Sequence, residues 1–113
     1  SVDGGMADNP RFALYRAGYT CLPADKMTEP RELEASVVGR CCESGDIIQE
    51  HVMLPASVGR GDIVAVCTTG AYNFSMASHY NRLPMPPVVM LRDGESYVAV
   101  RRETPADLCA RDV

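Results

Sequence analysis

Apolar residues occur along this chain in short runs of strand length, which glycine, proline and charged residues interrupt. Runs of this kind, bounded by turn residues, are typical of β-strands. The continuous run over 63–67 predicts a buried strand, and Asp93 with Gly94, between two such runs, predicts a tight hairpin turn. The predicted strands cover residues 36–38, 47–54, 63–67, 88–91 and 97–101.

A few segments have a helical pattern instead. Residues 11–15 predict one helical turn with Pro10 at its first position. The apolar residues at 74, 76, 77 and 80 follow helical spacing and predict a short helix capped by Asn73 or Ser75. Pro105 favours a last helical turn near the end of the chain. The pattern as a whole predicts a mainly β chain with one or two short helices, folded as a small β-barrel or sandwich.

Composition narrows the function classes. The net charge is -4 and the pI is about 5.0, which argues against nucleic-acid binding because that function needs a basic face. The longest apolar runs are too short to span a membrane. The first residues lack both a signal-peptide pattern and an initiator Met, so we expect a piece of a longer protein. The five cysteines are odd in number, with Cys41 and Cys42 adjacent, which favours reduced thiols in the cytoplasm.

Reactive side chains gather in three glycine-rich places. Arg11 follows a turn-rich segment and stands near Tyr15; an arginine at such a junction can clamp a carboxylate or phosphate, or it can simply be solvated. Residues 42–46 put a thiol, two carboxylates and a hydroxyl in one loop, which could bind an ammonium group or be an ordinary polar turn. Tyr72 lies where a strand ends and a helix begins. Its hydroxyl could face an anion, or its ring could pack at the strand end with no role in binding.

The remaining combinations of reactive residues carry less information. His51 and His79 lack zinc-ligand spacing with each other and with the cysteine pair, so we predict no metal site. The sequence also contains no phosphate loop, no GxSxG motif and no HExxH motif.

The three places, read in order, resemble the C-terminal part of diaminopimelate decarboxylases. These enzymes depend on pyridoxal 5'-phosphate (PLP) and share the alanine-racemase-like fold with ornithine and arginine decarboxylases. The DGGM-DNPR and CESGD patterns favour the diaminopimelate branch over the ornithine branch. The matching segments are 2–11 (VDGGMADNPR), 42–46 (CESGD), 70–72 (GAY), 80–81 (YN) and 101–104 (RRET).

The resemblance implies a fold and an activity. Residues 1–113 would form the C-terminal β-domain, a Greek-key barrel or sandwich, beside a PLP-binding (β/α)8 barrel that this sequence does not contain. The whole enzyme would decarboxylate meso-2,6-diaminopimelate to L-lysine and CO2, the last step of lysine biosynthesis. It would be a homodimer whose active site is shared between subunits.

The resemblance also implies roles for five residues. Arg11 and Tyr15 would hold the distal carboxylate region of the substrate. Glu43 would bind the distal ammonium group, and Cys42 would be the proton donor after CO2 leaves, both in the partner subunit's active site. Tyr72 would contact the substrate and approach the PLP phosphate.

Two features depart from the family pattern. Lys26 is the only lysine and lies outside any family context for anchoring PLP, so we expect the 113 residues to be inactive alone. Cys41 precedes the family's single cysteine, and the register favours Cys42 as the functional thiol. Two alternatives stay open: a non-catalytic β-domain that pairs with a related subunit, and a decarboxylase of ornithine, arginine or carboxynorspermidine.

Overall fold

A computed structural model describes all of residues 1–113, which divide into two compact units, Ser1–Ala77 and Ser78–Val113. The strands are β1 (Cys21–Pro23), β2 (Leu33–Val38), β3 (Ile47–Leu54), β4 (Val64–Val66), β5 (Val88–Arg92) and β6 (Glu95–Val100). The helices are α1 (Arg11–Tyr15), α2 (Asn73–Met76) and α3 (Pro105–Leu108), and Tyr80–Arg82 forms a 3-10 turn.

Two antiparallel sheets of two strands each build the first unit. In one sheet β1 pairs with β4, and in the other β2 pairs with β3. Both sheets supply side chains to one apolar cluster, made of Cys21, Val37, Ile48, Val52 and Leu54, all buried. Removing these side chains from water is the main force that holds the two sheets together.

The pairing of β2 with β3 is irregular in a way that changes the path of β3. Ala35 lies opposite Val52 but Val37 lies opposite Gln49, so β3 carries one extra residue between these pairs. His51 occupies this bulge with a φ of 55°. A bulge bends the strand and increases its twist, and β3 therefore curves along the core.

The second unit contains the predicted hairpin. β5 and β6 pair in antiparallel register, and the two residues that join them, Asp93 and Gly94, have φ angles of 53° and 82°. Two consecutive positive φ angles are the signature of the turn that best matches strand twist. α3 begins as predicted, with Pro105 in its first turn, and Thr104 and Asp107 form a capping box at its N-terminus.

Several details differ from the sequence predictions. The strand expected over 63–67 is confirmed only for Val64–Val66 and is not buried; Ile63 is 62% exposed. The cap of α2 was predicted wrongly, because Tyr72 takes that position and makes no side-chain capping bond. There are three short α-helices rather than one or two. The mainly β prediction is confirmed, and the six strands form three two-stranded sheets.

Candidate functional site

The loop that precedes α1 is closed by its own polar residues. Asp8 Oδ2 accepts a hydrogen bond from the Gly5 amide at 3.0 Å, and the amides of Asp8 and Asn9 donate to the Gly5 carbonyl. Asn9 Oδ1 accepts from the Arg11 amide at 3.3 Å. Burial raises the pKa of the Asp8 carboxyl. These bonds set the direction in which α1 starts and therefore where the Arg11 side chain leaves the backbone.

Arg11 and Tyr72 are in contact. The guanidinium carbon of Arg11 lies 5.4 Å from the centroid of the Tyr72 ring, a cation–π distance. Tyr72 has a φ of 70° and is 67% exposed. A bulky residue rarely adopts a positive φ, and such strained residues concentrate at functional sites. The structure thus brings together two of the five predicted site residues.

Tyr15 lies four residues after Arg11 on α1, the spacing that puts two side chains on the same side of a helix. It is 63% exposed. The next residue, Arg16, adopts a left-handed conformation and ends the helix. Arg11 and Tyr15 therefore belong to one short helical surface.

The other two predicted residues lie in the loop between β2 and β3. Cys42 and Glu43 are exposed, whereas Cys41 is half-buried. Burial and the nearby Asp46 carboxylate raise the pKa of the Cys41 thiol. Glu43 Oε1 accepts hydrogen bonds from the Gly45 amide at 3.1 Å and from the Ser44 hydroxyl at 3.2 Å. Of the two adjacent thiols, Cys42 is thus the more accessible to a molecule outside this chain.

Asp46 joins this loop to the loop before α1, and sequence reasoning gave it no role of its own. Its side chain is 4% exposed. Oδ1 accepts from the Met6 amide and Oδ2 from the Cys41 amide, each at 2.6 Å. One sequence feature could have indicated this role. Asp46 stands directly before the apolar pair Ile47 and Ile48, where a buried carboxylate needs a specific hydrogen-bond partner.

A groove of about 870 Å³ runs beside β2. Its lining includes Leu33, Val37, Val58 and Ile63 and none of the five predicted site residues. Four of the predicted residues are exposed and Arg11 is half-buried, and all five lie apart from the groove. An exposed set of charged and reactive side chains needs another protein surface to exclude water from it.

Comparison with known proteins identifies the family. The family model described as "Pyridoxal-dependent decarboxylase, C-terminal sheet domain" matches residues 1–70, more than half of the chain. The chain belongs to this decarboxylase family. The chain is 46% identical over 113 residues to the diaminopimelate decarboxylase of Bacillus subtilis and 50% identical to that of Actinosynnema pretiosum. The chain spans about a quarter of the length of these relatives, 26% and 25% respectively.

The backbone of this chain superposes closely on parts of solved decarboxylase structures. The diaminopimelate decarboxylase of M. jannaschii gives a TM-score of 0.90 at 33% identity, with 98% of this chain and 25% of that chain covered. The Helicobacter pylori enzyme, solved in complex with L-lysine, gives a TM-score of 0.84 at 36% identity, with 96% of this chain and 26% of that chain covered.

PLP is the cofactor of this decarboxylase family, and these 113 residues have no lysine available to anchor it. The Lys26 ammonium lies 2.7 Å from Asp62 Oδ2 and donates to the Ser57 carbonyl at 2.8 Å. Lys26 therefore ties two loops together. Tyr72 is exposed and carries a hydroxyl, a donor of the kind that a phosphate oxygen accepts. No group of three His, Cys, Asp or Glu residues is placed to hold a metal ion, and no helix is long and apolar enough to cross a membrane.

Proposed function

We propose that this chain is the C-terminal part of a diaminopimelate decarboxylase, which converts meso-2,6-diaminopimelate to L-lysine and CO2. The observation that carries the proposal is the clamp at Asp46, which holds the Arg11 loop and the loop of Cys42 and Glu43 in one local structure. The identity of 46–50% to diaminopimelate decarboxylases along all 113 residues supports the same choice of substrate.

The charges of these residues suit this substrate. The end of diaminopimelate that does not react carries both an ammonium and a carboxylate group. Arg11 offers a guanidinium that can make two parallel hydrogen bonds to a carboxylate, and Tyr15 lies on the same helix beside it. Glu43 offers a carboxylate for the ammonium group. Ornithine and arginine lack the distal carboxylate and would leave Arg11 without a partner.

Cys42 is the proposed proton donor. Its exposed thiol can enter a neighbouring active site and deliver a proton from Sγ to the carbon that has lost CO2. Cys41, next to it, is half-buried against Asp46 and is the weaker candidate.

PLP, when bound, supplies the electron sink that makes loss of CO2 possible. Within this chain, Tyr72 would donate a hydrogen bond from its hydroxyl to the PLP phosphate, and the Arg11 side chain over its ring would hold the ring in place. The lysine that anchors PLP would come from a (β/α)8 barrel outside these 113 residues.

The assembly we propose is a cytoplasmic homodimer with an active site shared between subunits. The exposure of Cys42, Glu43 and Tyr72 supports this arrangement, because each needs a surface from another part of the protein to complete the site. In the whole protein the three two-stranded sheets would be joined by further strands into a Greek-key barrel or sandwich. A reducing cytoplasm suits five cysteines without a disulfide.

Substrate choice is the direct test. The whole protein, purified with PLP, is assayed for CO2 release from meso-diaminopimelate, ornithine, arginine and carboxynorspermidine. We expect kcat/KM for diaminopimelate to exceed the others by about 100-fold or more, since a site built for a charged group rejects analogues that lack it. A higher kcat/KM for another amino acid would replace the proposed substrate. Binding to a related subunit without turnover of any substrate would favour the alternative of a non-catalytic β-domain.

The shared site has its own test, which mixes two inactive variants. One variant carries Cys42→Ala, and the other lacks the PLP-anchoring lysine. If each site draws on both subunits, a refolded mixture contains heterodimers with one intact site and recovers about a quarter of the wild-type activity. Recovery of no activity, with heterodimers present by native mass spectrometry, would show that each site lies within one subunit.

A further inference from the structure

The Asp46 carboxylate makes two short hydrogen bonds to loops that are far apart in sequence. Met6 donates its amide proton to Oδ1 and Cys41 donates its amide proton to Oδ2, both at 2.6 Å. The backbone of Asp46 adds two more bonds: its carbonyl accepts from Gly39 at 2.9 Å, and its amide donates to Glu43 at 3.1 Å. One residue thus closes the 39–46 loop and fastens it to the loop before Arg11.

The positions of Gly5 and Gly39 leave no room for a side chain beside the Asp46 carboxylate. A Cβ on Gly5 would lie 2.6 Å from Asp46 Oδ1, and a Cβ on Gly39 would come closer still to Oδ2. Neither glycine has a positive φ, so the constraint at both positions is the close approach of the carboxylate. The two backbones form a cradle that is shaped around Asp46.

The same carboxylate distinguishes the adjacent thiols. Burial and the nearby Asp46 carboxylate raise the pKa of the Cys41 thiol. Cys42 is exposed, although it is the next residue in the loop. Cys42 lies at the centre of a tight turn, which the Glu43 amide closes by donating to the Cys41 carbonyl at 2.8 Å. Fixing the Cys41 backbone therefore sets the direction in which Cys42 leaves this turn.

We propose that Asp46 is the positioning residue of this site, which binds the Met6 and Cys41 amides at once and so presents Cys42, rather than Cys41, as the accessible thiol. The expected effect of Asp46 on kcat/KM rests on the proposed decarboxylase function. The difference in accessibility between Cys42 and Cys41 does not depend on that function. Asp46 itself stays buried and acts only through the loops that it holds.

Thiol labelling in the whole folded protein tests the selection. Iodoacetamide modification is followed by peptide fragmentation, which assigns the label to Cys41 or Cys42. We expect Cys42 to react about tenfold faster or more, because the thiolate is the reactive species and Cys41 is half-buried with a raised thiol pKa. In Asp46→Asn the side-chain amide would face a second donor, so the Cys41 loop is released and the two rates approach each other.

Asp62→Asn is the matched control. Asp62 also accepts a backbone amide, that of Gly59 at 2.7 Å, and closes a loop of the same unit through Lys26. It should lose similar stability while keeping the labelling ratio and kcat/KM of the wild type. Asp46→Asn should lower kcat/KM at least about tenfold with PLP content unchanged. A folded Asp46→Asn protein with the wild-type labelling ratio would overturn the proposal, whatever the substrate proves to be.

Two further measurements test the proposal even if Asp46→Asn fails to fold. Gly39→Ala keeps the charge but pushes on the carboxylate, so it should also reduce the ratio of Cys42 to Cys41 labelling. Hydrogen exchange of the wild-type protein needs no substitution: the Met6 and Cys41 amides should exchange at one common slow rate, because one carboxylate holds both. Fast exchange of either amide would contradict the clamp.

Discussion

The Arg11 guanidinium lies over the ring of Tyr72, with 5.4 Å between the guanidinium carbon and the ring centroid. Arg11 begins α1 and Tyr72 precedes α2, so two chain segments far apart in sequence meet at this contact. The contact restricts a long side chain that would otherwise sample many rotamers, and an ordered arginine loses less entropy when it binds a carboxylate.

Arg11→Ala should raise KM for meso-diaminopimelate about 10- to 100-fold, because a hydrogen bond to a charged group contributes roughly 1.5–3 kcal/mol. Arg16→Ala is the control, since Arg16 also lies over an aromatic ring, that of Phe12 at 5.1 Å, on the same helix. Steady-state kinetics of the whole protein should show KM within about twofold of the wild type for Arg16→Ala. Equal effects of both changes would argue that α1 is merely structural.

Tyr72→Phe should weaken PLP retention. The ring under Arg11 stays, while the hydroxyl proposed to reach the phosphate is lost; a hydrogen bond to a charged acceptor corresponds to about a tenfold or greater rise in Kd. Equilibrium dialysis, with bound PLP quantified by its absorbance, measures this Kd. Tyr97→Phe, at another exposed tyrosine, should retain PLP fully, and the idea fails if the two variants behave alike.

Cys42→Ala should lower kcat about 100- to 10,000-fold, the usual contribution of a positioned proton donor, with PLP still bound. Single-turnover assays with spectroscopic PLP quantification separate the two effects. Cys109→Ala removes an exposed thiol of the second unit and should retain wild-type turnover. Near-normal turnover of Cys42→Ala would remove Cys42 from the mechanism.

Asp107 should make the second unit sensitive to acid. The hydrogen-bonded Arg101 guanidinium, together with the Thr104 amide and hydroxyl, holds the pKa of the Asp107 carboxyl well below its ordinary value of 3.8. A depressed pKa stabilises the folded state above the unfolded pKa, and this stabilisation is lost as pH falls through the folded pKa. Amide exchange of α3 should therefore accelerate below about pH 4, and Asp107→Asn should abolish the additional acid dependence.

Asp93→Asn serves as the comparison for the acid experiment. Asp93 is an exposed hairpin residue that contacts only the neighbouring Arg92 side chain at 3.3 Å, and asparagine tolerates its positive φ. This variant should keep the wild-type acid response of α3. Loss of that response would mean that overall charge, rather than the Arg101–Asp107 pair, controls the helix.

His51 should titrate above its ordinary value of 6.5, because the Glu34 carboxylate accepts a hydrogen bond from Nδ1 at 2.5 Å and raises the pKa of His51. A raised pKa stabilises the folded state below the unfolded pKa, and this contribution disappears as pH rises through the folded pKa. Glu34→Gln should lower the His51 pKa in an NMR titration, whereas Glu32→Gln should not. An unchanged titration in Glu34→Gln would contradict the pairing across the β3 bulge.

Local sequence determined the hairpin and the last helix. Asp93 and Gly94 tolerate the positive φ angles of a two-residue turn, and Pro105 suits a first helical turn, so both predictions are confirmed by the structure. The burial of β4 and the cap of α2 were predicted wrongly, because burial depends on which strands pack over a segment. Likewise, Tyr72 takes its strained φ only in the folded chain, where its ring contacts Arg11.

The sequence by itself determined which chemical groups this protein carries and in which loops they stand: Arg11 and Tyr15 after a glycine-rich turn, Cys42 and Glu43 in a second loop, and Tyr72 before a short helix. Only the tertiary structure decided that Asp46 joins the first two loops and that Arg11 meets Tyr72. The physical reason is that these contacts are hydrogen bonds and a ring contact between distant segments. Their geometry exists only after burial of the apolar core has brought the segments together.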